Sequence, residues 1–417
     1  MTTTFQGQAG VELDRRAGKA LPRGVAGHFS PQVNWPGSPH FIARAEGSRI
    51  WDVDGNEYID MMCSWGPIVL GYQHPEVEEA VARQHAQIDC GPGAAPVMVD
   101  LAERIVGLID GGAWALFAKN GADVTTLSVT LARAHTGRRT ALVANGAYHG
   151  SLPWCNPDVQ GTVPGDRQSL DYFDFNDLDS VAAAIERHPD DLAGVIVSPY
   201  RQPPGKDQEA PSREFAVGLR ELCDRHGGLL IHDEVRTGMR LELGTGWRQF
   251  GVAPDMSAWG KAIANGFALS ALVGKEEVRE AAAKVFATGS FWWTGDAMAA
   301  GLATLEVLER EDSLGKMRDW GTRFQEGLAA AAAARGLGIV VTGPPTMPFA
   351  RFEADDDDRV LNDVFTAECG KHGLYLHPRH NWFVSAAMDD RDLDQALQAV
   401  EAGVDAVAAK ANTAERG

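Results

Sequence analysis

At 417 residues, 44% hydrophobic and 23% charged, the chain has the length for one large domain and a smaller one, each with a substantial core. A net charge of −19 excludes anionic partners such as nucleic acid or an acidic membrane surface, which would repel it. Five scattered cysteines without CxxC spacing, a polar Met1–Gly10 segment unlike a signal peptide and no long apolar run predict a cytoplasmic protein with neither disulfides nor a metal site.

Residues up to about Gly27 read as a flexible lead. Two β-like runs, Phe41–Arg44 and Arg49–Asp52, flank a Glu46-Gly47 turn, and Asp54-Gly55 marks another turn before Tyr58-Ile59-Asp60. Helical spacing of apolar residues follows over Pro75–Gln87 and Val99–Ile109. Strands at Trp114–Ala118, Thr140–Ala144, Gly194–Ser198 and Gly228–His232 then alternate with helices at Val124–His135, Leu178–His188 and Ser212–His226. That rhythm predicts an α/β fold with a mostly parallel sheet and helices on both faces, whose ligands sit at the C-terminal strand edges. Further on, helical patterns cover Gly301–Glu309 and Met317–Arg335, strand-like runs Gly338–Thr342 and Phe349–Glu353, and helical patterns again Arg359–His372 and Leu393–Ala409. Residues 311–417, joined by the N-terminal segment 1–60, are expected to form a smaller α+β domain beside a large cofactor-binding domain of residues 61–310. The acidic run Asp355–Asp358 reads as a solvated turn.

The run Leu229-Leu230-Ile231-His232-Asp233-Glu234-Val235 reads as a buried strand delivering an acidic residue at its end. Gly260-Lys261-Ala262 follows 28 positions after Asp233 (261 − 233), in the apolar stretch Met256–Ala264. A carboxylate and an isolated lysine are the two protein groups that pyridoxal phosphate most needs. The lysine forms a Schiff base with the aldehyde, and the carboxylate keeps the pyridine nitrogen protonated. Lys119-Asn120-Gly121-Ala122-Asp123 joins a strand to a helix, where a tight glycine turn and free N–H groups can hold a phosphate. The same turn also suits an ordinary capped helix start. Ala147-Tyr148-His149-Gly150 ends another strand, and an aromatic there can stack on a ring or simply pack.

Ser64-Trp65-Gly66-Pro67, Asn120-Gly121-Ala122-Asp123, Tyr148-His149-Gly150, Asp233-Glu234-Val235-Arg236-Thr237-Gly238, Phe250-Gly251-Val252-Ala253-Pro254-Asp255 and Gly260-Lys261 occur in the order seen in class III pyridoxal-phosphate aminotransferases. Trp51-Asp52-Val53-Asp54-Gly55-Asn56 and Gly373-Leu374-Tyr375-Leu376-His377-Pro378 extend the likeness over nearly the whole chain, and it most resembles the glutamate-1-semialdehyde 2,1-aminomutase branch. The resemblance implies the type I (aspartate aminotransferase-like) fold with a seven-stranded sheet, and a homodimer with active sites at the interface. It implies that Lys261 holds the coenzyme and carries the proton, and that Asp233 pairs with the pyridine nitrogen. Val235 would pack beneath the ring, Tyr148 would stack above it with His149 beside it, and Gly121 and Ala122 would give N–H groups to the phosphate. A hydroxyl from the partner subunit also reaches that phosphate in the family. Ser290 aligns there, with Thr294 as the alternative. Arg236 and Arg240 are read as fixing the loop after Asp233.

The chain departs from the aminomutases where substrate is held. Ser30 stands where they carry an arginine for the substrate carboxylate, Pro378-Arg379-His380-Asn381-Trp382 lacks their acidic group, and Phe291-Trp292-Trp293-Thr294 replaces a small-residue segment. Without that guanidinium an acidic substrate loses its main anchor. Trp35, Trp65, Trp154, Trp292 and Trp293 with His28, Asn34 and His380 form a candidate pocket rim, suited to a hydroxylated or cationic substrate such as an oxidised aminosugar or aminoglycoside from antibiotic biosynthesis. Each tryptophan could equally fill core or interface. Arg379 is a candidate for the carboxylate of an amino donor such as glutamate, or else a surface residue. Three functions compete: a transaminase, an isomerase (aminomutase or epimerase) and a non-catalytic relative, with the intact Lys261–Asp233 pair favouring catalysis.

Overall fold

The computed structural model describes residues 7–22, 24, 35, 38–355 and 359–414, and the chain divides into two compact units. The first comprises Met1–His74, Gln202–Gln208 and Gly315–Gly417, the second Pro75–Arg201 and Glu209–Leu314.

The first unit opens with a helix, α1 (Gln8–Ala20), where the sequence suggested a flexible lead. The Asp54 carboxylate holds its start, accepting the Ala9 and Gly10 N–H groups at 2.9 and 3.0 Å. A cap supplied from so far downstream leaves no signature in the helix's own residues. Strands β1 (Ile42–Glu46), β2 (Arg49–Asp52) and β3 (Glu57–Asp60) then form an antiparallel meander.

The second unit begins with α2 (Pro75–His85), where Pro75 suits the first turn and Glu76, Glu78, Arg83 and His85 complement the helix dipole. It continues through α3 (Val97–Leu108), β4 (Trp114–Ala118), α4 (Gly121–Thr136), β5 (Thr140–Ala144), β6 (Leu170–Phe173), α5 (Leu178–Glu186) and β7 (Leu192–Val197). After α6 (Arg213–His226) come β8 (Leu229–Asp233), β9 (Met256–Trp259), β10 (Ser270–Gly274), α7 (Arg279–Lys284) and α8 (Gly295–Arg310). Ser212 caps α6 by accepting the Phe215 N–H, and Gly227, at φ 66°, ends it.

The seven strands order as β4-β10-β9-β8-β7-β5-β6, parallel except that β10 runs against both neighbours. The apolar runs are continuous because both faces are covered. Ala141, Val143, Ile196 and Ile231 pack with α4, whereas Leu142, Val195, Val197 and Leu230 pack with α5 and α6. Alternation along β8 therefore sends Asp233, in step with Ile231, to the α4 face. His232 goes to the other, edge-on to Trp247 at 4.5 Å.

From Gly315 onward the first unit is completed by α9 (Ser313–Ala334), β11 (Ile339–Thr342), β12 (Phe349–Phe352), α10 (Val360–Lys371), β13 (Leu374–Tyr375) and α11 (Asp390–Ala414). β13 joins β3 in parallel, making a four-stranded sheet, and β11 pairs with β12. Of the acidic run, Asp355 accepts the N–H groups of Leu361 and Asn362, both at 2.9 Å, and so caps α10, while residues 356–358 lie outside the described residues. Among the described residues no helix is long and apolar enough to cross a membrane.

Candidate active site

The site assembles in the second unit at the C-terminal edges of β4, β5, β8 and β9. Asp233 closes β8 with its side chain 6% exposed. One carboxylate oxygen lies 2.6 Å from His149 Nδ1 and the other accepts the Val235 N–H at 3.0 Å. His149 follows β5 and is itself held by its carbonyl, which accepts the Thr125 hydroxyl of α4 at 2.7 Å. Its buried Nε2 has no hydrogen-bond partner among the described residues. An imidazole anchored at one nitrogen and open at the other is a group awaiting a ligand or water.

Lys261 begins the turn after β9 with φ 47°, a left-handed backbone that a long side chain rarely adopts. Burial, then the nearby Arg236 guanidinium, pushes its amine down to about 7, while Asp233 pulls the other way and Arg240 adds to the depression. The structure thus gives Arg236 and Arg240, read as loop-fixing residues, an electrostatic effect on the lysine. Burial also lowers Arg236, with Asp233 and Tyr148 opposing.

Between these groups lies Val235. A Cβ at Gly121 would come 2.7 Å from Val235 Cγ1, and one at Gly260 would meet the same atom at 3.4 Å. Gly121 is thus needed for its turn to close on the valine, whereas Gly260 makes only ordinary contact with it, and the valine leaves an apolar floor beside Lys261 and Asp233. Gly121 and Ala122 open α4, where backbone N–H groups lack a carbonyl one turn earlier. Asp123 turns back to the Asn120 N–H at 2.8 Å, and so caps the preceding turn rather than those donors. Tyr148 keeps 41% of its surface exposed, unusual for a large aromatic at a sheet edge. An apolar floor, open helix-start N–H groups, a neutralisable lysine and a half-satisfied carboxylate–imidazole pair fit pyridoxal phosphate in its parts: ring, phosphate, aldehyde and ring nitrogen.

Other predicted residues fall elsewhere. His28, Ser30 and Asn34 lie outside the described residues. Trp35 and Trp65 belong to the first unit and Trp154, Trp292 and Trp293 to the second, so the expected rim is not one cluster within either unit. Trp65 meets His377 and His380 edge-on at 5.3 and 5.0 Å, and buried Trp35 lies 4.3 Å from His377. Trp154 and Trp292 pack against the α4 core; the Trp154 indole N–H donates to the Thr126 hydroxyl at 2.8 Å. His380 places Nδ1 2.7 Å from the Asn381 carbonyl. Arg379, a candidate for the donor carboxylate, instead forms a two-pronged pair with Asp363 at 2.8 Å on both arms, which commits its fork inside the unit. Ser290 is exposed on a turn, whereas the Thr294 hydroxyl accepts from Lys119 Nζ at 2.5 Å. Sequence reasoning gave Lys119 no role. Its place directly before the Asn120-Gly121 turn was the available signal.

Comparison with known proteins agrees with this geometry. The family model for class-III aminotransferases matches residues 32–402. An aminopentol aminotransferase of Sphingopyxis macrogoltabida is 41% identical over 95% of this chain and 94% of its own length. A 3-aminobutyryl-CoA aminotransferase of Cloacimonas acidaminovorans is 34% identical over 94% and 95%. Glutamate-1-semialdehyde 2,1-aminomutases also match, at 30% to 34% identity. A solved structure, the PLP internal aldimine form of the FumI protein of Sphingopyxis sp. MTA144, superposes with a TM-score of 0.96 at 40% identity, covering 97% of this chain and 98% of that one. The type I aminotransferase fold expected from the motifs is thus the observed one. The chain belongs to the class-III aminotransferase family and is a transaminase that uses pyridoxal phosphate.

Proposed function

We propose that this enzyme moves an amino group between an amino-acid donor, with glutamate the expected one, and a polyhydroxylated carbonyl compound that bears no carboxylate beside the reacting carbon. The observation that carries the reading is the pairing of a buried, neutralisable Lys261 with the His149-oriented Asp233 around the Val235 floor. When bound, pyridoxal phosphate supplies an aldehyde that takes the amine and an electron-poor ring that makes the adjoining C–H acidic. Lys261, whose amine burial pushes down to about 7, would be the base that takes that proton and carries it. Asp233 would pair with the ring nitrogen, and His149 fixes the orientation of its carboxylate. Val235 would support one face of the ring and Tyr148 would cover the other. Gly121 and Ala122 offer N–H groups to the phosphate, and Ser290, exposed and uncommitted to Lys119, is the better placed of the two hydroxyls to serve the partner's phosphate.

The acceptor class is read from two observations. Arg379 is tied to Asp363, and the aligned relatives are named for an aminopentol and for a 3-amino thioester, neither an α-amino acid. A hydroxylated amine chain suits this better than an aminosugar ring, though both share hydroxyl-rich chemistry. Homodimerisation is supported by the exposed apolar loop carrying Phe286, Phe291 and Trp293, at 91%, 66% and 40%. A cytoplasmic setting is supported by five cysteines scattered along the chain without CxxC spacing.

The test is a spectral one. Purified enzyme mixed with a polyhydroxylated amine should lose its yellow absorbance and recover it on adding a keto acid. Lys261→Ala should fold yet show neither change, and normal turnover by that variant would overturn the assignment. Turnover without any added donor or acceptor would favour the isomerase instead.

A further inference from the structure

The Lys119 ammonium donates to the Thr294 hydroxyl at 2.5 Å, and that hydroxyl lies 3.3 Å from the Phe291 carbonyl, which can accept its hydrogen. Phe291 is the neighbour of Ser290. The far side of the same loop is clamped where α8 begins: the Gly295 N–H donates to the Asp89 carbonyl at 3.0 Å and the Asp296 N–H to its carboxylate at 3.1 Å. Asp89 and Asp296 also hold charge near Lys119, offsetting the burial that lowers its amine. Within the loop, Trp292 folds back so closely that a Cβ at Gly289 would meet its indole at 2.5 Å. The turn bearing Ser290 is therefore built to one shape, with Lys119 as its cationic post.

We propose that Lys119 is a positioning residue: through Thr294 it sets the loop that presents Ser290 to the coenzyme phosphate of the partner subunit. This rests on the functional reading above, and on Ser290 rather than Thr294 making the phosphate contact.

The experiment measures binding of pyridoxal phosphate and of unphosphorylated pyridoxal to the coenzyme-depleted full-length enzyme by absorbance titration. Lys119→Met and Thr294→Val should each weaken pyridoxal phosphate about tenfold, the scale of one lost hydrogen bond to a charged group, and leave pyridoxal unchanged. Ser290→Ala should do the same, and Lys119→Met combined with Ser290→Ala should be no worse than either alone, since both remove one contact. Lys119→Arg should restore most of the affinity. Additive effects, equal weakening of pyridoxal, or wild-type affinity in Lys119→Met would overturn the proposal. An inert Ser290→Ala would overturn it too, while leaving the transaminase assignment, which stands or falls on Lys261→Ala, untouched.

Discussion

His149 Nδ1 sits 2.6 Å from Asp233 Oδ2, and both side chains are buried. The imidazole reaches Asp233 across 84 residues of sequence, from the end of β5 to the end of β8. Replacing His149 with Phe keeps a flat ring but deletes the donor. Turnover should fall roughly 10- to 100-fold, matching loss of a hydrogen bond to a charged group, with a changed coenzyme spectrum. Single-turnover kinetics on the holoenzyme decide it; an unchanged rate constant would show that Asp233 needs no orienting partner.

Arg236 pushes the Lys261 amine down, second only to burial, so removing its charge should let the amine rise from about 7. The required form is the neutral amine, free only once substrate has displaced it from the coenzyme, so the acid limb of kcat should move to higher pH in Arg236→Met. A limb that stays put or moves down sinks the electrostatic account. The same lysine bears on stability in coenzyme-free protein. Its folded value lies below the unfolded one, so the unfolded chain binds the extra proton between about 7 and 10.5. Stability should therefore rise with pH across that window, by at most about 1.4 kcal/mol per pH unit, and Lys261→Met should flatten the slope.

Gly121→Ala would drive a methyl group to 2.7 Å from Val235 Cγ1. Overpacking of this kind costs about 1–3 kcal/mol, and here it should appear as both a lower melting temperature and weaker coenzyme binding. Val235→Ala made in the Gly121→Ala background should recover part of the loss. Failure of the second change to rescue either property would mean that the glycine serves something other than space for the valine.

Arg379→Met breaks the fork with Asp363, a pair 39% and 24% exposed. Stability should drop by about 0–1 kcal/mol, as for other partly exposed ion pairs. The KM for glutamate should not change. A large rise in KM for the donor alone would return Arg379 to the list of substrate-binding groups.

The sheet could be read from residue order because its strands are buried on both faces and stand out as continuous apolar runs, as at Leu229–Ile231. β6, β9 and β10 were not read as strands: β6 is four residues interrupted by Asp171, β9 merged into the apolar stretch around Lys261, and β10 begins at Ser270 among small residues. Lys261 and Asp233 announced themselves by chemistry in an apolar setting. The influence of Arg236 on Lys261, the Asp54 cap on α1 and the Lys119–Thr294 bond did not, because each joins positions whose proximity only the completed fold creates. The Arg379–Asp363 pair was hidden for the same reason, since no local pattern marks Asp363 as its partner.

Cys63, Ser64 and Trp65 carry φ values of 46°, 55° and 66°, three left-handed side-chain-bearing residues in a row. The buried Asp60 carboxylate accepts the Met62 N–H at 2.7 Å and the Tyr72 hydroxyl at 2.7 Å, and Cys63 and Ser64 also bond toward it. The direction of the Trp65 indole is thus dictated by an acid five positions upstream. Swaps at Trp65 should therefore alter bulk alone; redirecting the backbone there requires changing Asp60 or Tyr72 as well.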